Sequence, residues 1–206
     1  KTSQDLKLID WKFDRSIANQ LLKDSWPLIL SGVLVSVYMK VDQVMINEMM
    51  GNYSVGQYAA AVKVSEAWYF IPMALCSSLF PALLNAKRHD EKLYYERLQR
   101  LYTLMVWSAI SVAVPITFIS PWLVGVLYGE EYSIASQVLS VHIWAGTFAF
   151  LGMAFGKYLA AENLTKKSLY RTLLGAFLNI FLNIICIPRY GVVGAAYATL
   201  FAQFSA

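Results

Sequence analysis

The sequence predicts an all-α integral membrane protein, a bundle of about six transmembrane helices, and three observations predict it. Of its 206 residues 58% are hydrophobic and only 15% charged, a balance outside that of soluble domains. Uncharged stretches of membrane length recur: 20 residues from Ala67 to Ala86, 29 from Leu101 to Gly129 and 25 from Tyr132 to Gly156. Lys and Arg gather in alternate connections, five in residues 1–25, five between 87 and 100 and three between 166 and 171. The other side has Arg189 between spans and Lys63 just inside a helix, so the positive-inside rule makes the N-terminal segment cytoplasmic.

In residues 1–25, five Lys/Arg and four Asp surround an apolar face of Phe13, Ile17 and Leu21. This fits an amphipathic segment on the membrane surface or a solvated linker. It has no apolar core of signal-peptide length. The first span, about 26–48, opens at Trp26-Pro27, where proline suits a first helical turn. Residues 51–58, with two glycines, read as a loop. The second helix, about 60–84, holds Lys63 and Glu66 near its start and is expected to bend at Pro72 and Pro81. The charged stretch 87–100 belongs in water.

The 29 uncharged residues from Leu101 are too many for one straight span and too few for two. Pro115 and Pro121 are expected to resolve this by ending a helix of about 101–119 near Ile119, with the following PWLVGVLYG as an interfacial piece. Helices of about 134–158 and 168–187 follow. Pro188 to Gly191 then turns the chain into a last helix, about 192–206, cut off within the apolar run LFAQFSA. Together with a start at Lys1, this leads us to expect a piece of a longer protein. Cys76 and Cys186, at different depths, read as packing residues.

Charge inside the first span marks the candidate site, because intramembrane ionisable groups are costly and face a bundle interior or a wet cavity. Helical spacing puts Ser36, Lys40, Gln43 and Asn47 on one stripe, and Ser31, Tyr38 and Asp42 on roughly the opposite one. Lipid satisfies neither, so one stripe packs against helices and the other borders a cavity. Asp42 and Lys63 are expected to pair and tie the first two helices together, with ion coupling as the other role open to Asp42. Glu66 shares a face with Lys63. Asn179 and Asn183, four apart, either line the cavity or link helices. Gly191, Gly194, Ala195 and Ala198 suit a close-packing face. His142 reads as a satisfied interior histidine. No catalytic set, metal-ligand set, cofactor motif or nucleic-acid-binding pattern emerges.

Several ordered features resemble a known family: Trp26-Pro27-Leu28, Tyr38, Asp42-Gln43, Ile46, Gly51, Gly56, Tyr58 and Ala60-Ala61, then Leu79-Phe80-Pro81 and Tyr128-Gly129-Glu130-Glu131-Tyr132. The most specific is LNIFLNIICIPRYGVVGAAYAT, residues 178–199. They resemble the bacterial polysaccharide exporters of the O-antigen flippase type, within the multidrug/oligosaccharidyl-lipid/polysaccharide exporter superfamily. The resemblance implies a two-lobe exporter of the bacterial inner membrane that moves a polyprenyl-diphosphate-linked oligosaccharide between leaflets by alternating access. It implies that residues 26–206 form the second lobe, that residues 1–25 are the interlobe linker, and that an N-terminal lobe precedes them. Lys40, with Ser36, Gln43, Asn47, Asn179 and Asn183, is then the expected contact for the substrate. Asp42, Lys63 and Glu66 are the structural or ion-coupling charges, and the coupling ion would be H+ or Na+. Two alternatives stay open: a multidrug extruder of the same superfamily, for which Asp42 rather than Lys40 would face the cavity, and a membrane-embedded glycan enzyme.

Overall fold

The structure is a computed structural model that describes residues 14–205; of the surface segment expected over 1–25, residues 1–13 lie outside the described residues and the rest is the start of a helix. Helix α1, Arg15–Met50, begins at Asp14, whose carboxylate accepts from the Ser16 and Ile17 amides, and runs straight through Pro27. Pro27 is therefore interior to a helix and does not start one. Ser31 Oγ returns a hydrogen bond to the Pro27 carbonyl at 2.7 Å. In place of the loop expected over 51–58, one residue turns the chain: Gly51 takes φ +83°, and α2, Asn52–Glu66, starts at once.

A single 3₁₀ turn, Ala67–Tyr69, joins α2 to α3, Phe70–His89. It falls just before Pro72, which has no N–H to offer the Trp68 carbonyl four residues back. The charged stretch after residue 87 is helical too. Only Asp90 separates α3 from α4, Glu91–Tyr128, and its carboxylate caps α4 by accepting from the Leu93 amide at 3.0 Å.

The expected helix end near Ile119 is corrected: α4 continues through Pro115 and Pro121 to Tyr128. The physical reason is local. Pro121 cannot serve the Thr117 carbonyl, and Ser120 Oγ donates to that carbonyl at 3.3 Å instead. Helix α5, Ser133–Ala161, is the most enclosed element and packs on α4, α6, α2 and α3.

Helix α6, Thr165–Ser205, breaks at one point, Gly191, with φ +62° and ψ −144°. Its two arms fold back on each other: Asn179 reaches Thr199, and Gly194 lies directly against the Cys186 carbonyl. Among the described residues five stretches are long and apolar enough to cross a membrane, the last containing this hairpin. Large apolar side chains such as Trp107, Phe118, Trp122, Phe177 and Phe201 point outward, while Ala135, Ala145, Ala195 and Ala198 fill the interior. That inversion is the packing logic of helices in lipid, where small residues let backbones approach. The chain is a multi-pass α-helical membrane protein.

Candidate functional site

Helices α1, α2, α5 and α6 stand in a ring, each packed on the next, with α3 and α4 outside against α5. Two adjoining, half-open cavities of about 340 and 240 Å3 lie among these helices and share Val35, Gly152, Arg171, Thr172, Thr199 and Gln203. Asp42 lies at the wall of the larger one, only 4% exposed. Ser31 and Asp42 both line it, so it follows α1 for 11 residues, about 16 Å at 1.5 Å per residue.

Helix α2 and both arms of α6 satisfy the Asp42 carboxylate. From α2, Tyr58 Oη donates to Oδ2 at 2.7 Å. From the second arm of α6, Thr199 Oγ1 donates to the same oxygen at 2.7 Å, and from the first arm Asn183 Nδ2 donates to Oδ1 at 2.5 Å. Thr199 has one hydroxyl proton and a second acceptor, the Ala195 carbonyl, at 3.0 Å. Asn183 Nδ2 also reaches Asn179 Oδ1 at 3.3 Å, and Asn179 Nδ2 reaches Thr199 Oγ1 at 3.4 Å. Asn183 is fully buried, yet among the described residues no donor reaches its Oδ1. The cluster thus offers carboxylate and amide oxygens at one point, with no Lys or Arg ion-paired to Asp42 among the described residues.

Hydrogen bonds from neutral donors are what lets a carboxylate remain in such an interior. Beside the cluster, the Tyr58 ring meets the His142 ring edge-on at 6.1 Å, and His142 Nδ1 is 3.0 Å from Ser65 Oγ. Gln57, one residue before Tyr58, anchors α2: its Nε2 donates to the Glu131 carbonyl at 2.7 Å and its Oε1 accepts from the Ala135 amide at 3.0 Å.

The expected tie between Asp42 and Lys63 is not formed. Tyr58, Val62, Glu66 and Tyr69 carry the cavity face of this stretch, and Lys63, about 100° around the helix from Val62, is exposed. Asn179 and Asn183 are spent mainly on linking the arms of α6 to α1, although Asn179 also borders the smaller cavity. Ser36, Lys40 and Asn47 are exposed and Gln43 is half-buried, on the side of α1 away from Asp42. Ser36 Oγ bonds within its own helix to the Gly32 carbonyl at 3.0 Å, and Lys40 acts electrostatically on Glu66. The cavity inside this lobe therefore takes Asp42, Glu66 and Arg171, while Lys40 belongs to the outer face of α1.

Tyr58, Thr199, Gln57 and the Ser65–His142 pair went unread as site residues in the sequence. Tyr58 falls within residues 51–58, where two glycines suggest a loop, and Thr199 falls in a run of small residues. A carboxylate needing donors from elsewhere was the signal that could have found them.

Residues 3–137 match the family model described as polysaccharide biosynthesis protein. The chain is 26% identical over 203 residues to the probable low-salt glycan biosynthesis flippase Agl15 of Haloferax volcanii, covering 97% of this chain and 42% of that protein. It is 22% identical over 183 residues to a putative O-antigen transporter of Shigella dysenteriae, covering 88% of this chain and 46% of that one. Among solved structures, a transporter of the MOP superfamily from Pyrococcus furiosus superposes with a TM-score of 0.79 at 19% identity, over 89% of this chain and 42% of its own. The chain spans less than half the length of these relatives.

Proposed function

Because the chain belongs to the polysaccharide biosynthesis protein family, we propose that it is one lobe of a two-lobe exporter that carries a lipid-diphosphate-linked oligosaccharide across the cytoplasmic membrane. The flippase and O-antigen transporter names of its relatives support this reading. The observation that carries it is the family match over residues 3–137, and the exposed side of α1 that bears Lys40 is where this reading puts the diphosphate.

In this reading Lys40, with Ser36, Gln43 and Asn47, faces the vestibule between lobes and meets the diphosphate. A lipid headgroup leaving the interface needs a countercharge, and a lysine in a polar stripe supplies one. Asp42 is the coupling site, where H+ or Na+ binds. Asn183 Oδ1 and the carboxylate oxygens are acceptors for it, and Tyr58 and Thr199 can turn their hydroxyls as the charge on Asp42 changes. Since the network spans α1, α2 and both arms of α6, ion binding there acts on how the ring is packed. Residues 1–25 form the cytoplasmic linker from the preceding lobe, and the six passes put residues 87–92 in the cytoplasm. The lobe carries no chemical step of its own.

The test is complementation of a flippase-deficient strain by the full-length protein. Lys40→Ala and Asp42→Asn are expected to lower surface glycan at least tenfold at equal expression; unaltered glycan with Lys40→Ala would remove that residue from the substrate path. A cysteine placed within residues 87–92 should react with a membrane-impermeant maleimide only after the cells are opened, and labelling of intact cells overturns the topology. One observation favours a second reading, extrusion of cationic compounds: Asp42 and Glu66 both line the cavity inside the lobe. Under that reading, expression would raise resistance to cationic dyes and leave glycan unrestored.

A further inference from the structure

The outward face of α3 offers lipid no large side chain for three turns, although it lies within a stretch, Ala67 to Ala86, that is uncharged and long enough to cross a membrane. Elsewhere such faces are bulky: Trp107, Phe118 and Trp122 on α4, Phe177 and Phe181 on α6. On α3 the exposed residues from 74 to 85 are Ala74, Ser77, Ser78, Pro81 and Asn85. After Met73 the next large apolar side chain that is exposed is Tyr95, beyond the end of α3. At about 100° per residue the five fall within a sector of about 100°. Exposed Lys63 on α2 and Arg88 near the end of α3 prolong the line in both directions. From Lys63 to Arg88 is 25 residues, about 37 Å of helix against about 30 Å of hydrocarbon. Lys40, on the outer side of α1, acts electrostatically on Glu66, one turn along α2 from Lys63, so this line adjoins the Lys40 side of α1.

We propose that this line on α2 and α3 is the wall along which the oligosaccharide of the cargo passes, its sugars hydrogen-bonded to Ser77, Ser78 and Asn85. The proposal rests on the flippase reading and adds to it where the sugar part lies, beside the diphosphate at Lys40. A polar side chain facing lipid must find its partner within the protein. Ser78 does so: it gives its proton to the Ala74 carbonyl, which leaves its oxygen as an acceptor. Among the described residues no hydrogen bond engages the Ser77 hydroxyl or the Asn85 side-chain amide. Both therefore keep donors and acceptors for sugar hydroxyls, which are themselves both. Ala74 and Pro81, between them, are small and leave room for rings. Helices that pack against each other in a membrane also favour small residues. A dry contact along this whole line, however, would have to desolvate the Lys63 amine and the Asn85 amide, whereas a water-filled wall leaves both solvated.

The test uses the full-length protein in detergent, titrated by native mass spectrometry with a polyprenyl diphosphate and with the same lipid bearing an oligosaccharide. The parent is expected to bind the glycosylated lipid more tightly. Ser77→Val combined with Asn85→Leu should weaken that lipid about tenfold while the bare one binds as before. Should the pair fold poorly, Ser77→Ala and Asn85→Ala singly carry the comparison, each weakening the glycosylated lipid about threefold. In native membranes Ser77→Cys is expected to react with a charged, water-soluble thiosulfonate well above the background of Cys76 and Cys186, and faster than Phe118→Cys on the lipid side; the glycosylated lipid should slow it. Equal loss of both lipids, or no loss of either, overturns the proposal. So does a Ser77→Cys that stays as unreactive as Phe118→Cys, the result expected of a face closed by lipid or by the preceding lobe. If binding of the bare lipid still depends on Lys40, the flippase reading survives those results. A protein that binds neither lipid and restores no glycan fails that reading instead, and this proposal with it.

Discussion

Thr199 shows how much of the site hangs on one hydroxyl. Replacing it with Val keeps the shape but leaves Asp42 Oδ2 with Tyr58 alone, and a buried acceptor stripped of a charge-assisted bond destabilises by about 1–3 kcal/mol. A lower melting temperature of the purified full-length protein in detergent checks this; an unchanged one would show that Thr199 spends its proton on the Ala195 carbonyl. On the surface, the Glu162 carboxylate receives Lys87 Nζ at 2.9 Å and Tyr94 Oη at 2.8 Å, while Lys87 also donates to the Ala161 carbonyl. The hydrogen bond from Lys87, then that from Tyr94, holds Glu162 below the ordinary carboxylate range. The folded state therefore prefers the ionised acid. Its stabilisation is present above the unfolded value of about 4.5 and fades as pH falls through the lower folded value. Glu162→Gln should flatten the acid side of the stability profile below about pH 5, measured by thermal melts from pH 6 down to 3. A profile as steep as the parent's would mean that the pair is absent in solution.

At the scale of elements, the hairpin of α6 is the most demanding piece. A Cβ at Gly194 would run into the Cys186 carbonyl, which is backbone and cannot swing away. Gly194→Ala is thus expected to lower stability by about 2 kcal/mol through forced separation of the arms, read as a drop in melting temperature. The small-residue pattern around Gly191, Gly194 and Ala198 was legible as a packing face because only close approach explains such a run. The length of α4 was not. Pro115 and Pro121 suggest a stop by local rules, and what carries the helix onward is a serine serving the carbonyl that Pro121 abandons. Gly51 misled in the same way: one positive φ replaces the loop that two glycines and polar neighbours suggested. Helix existence follows from hydropathy, whereas helix ends depend on hydrogen bonds between side chains and backbone.

For the whole molecule, composition was enough to give the solvent, and hence the class, since no soluble core accommodates this much apolar surface. The two stripes on α1 were legible from spacing alone. Which stripe turned inward was not, because that depends on partners from α2 and α6 that are distant in the chain. The pairing of Asp42 with Lys63 failed for the same reason: opposite charges near one end of two helices invite a tie, but a buried carboxylate here is served by neutral donors from α2 and both arms of α6, and Lys63 stays outside.

The hydrogen bond between Thr199 and Asp42 joins residues 157 positions apart, and this orders the biogenesis of the lobe. A chain made from its N-terminus delivers the acid to the membrane long before it delivers the hydroxyl. Until α6 is made, Asp42 has only the Tyr58 hydroxyl, which the next helix brings within 16 residues. The final arm is then the part whose arrival lets the first span settle, and a ribosome stalled short of residue 199 would leave a nascent protein fit for quality-control proteolysis.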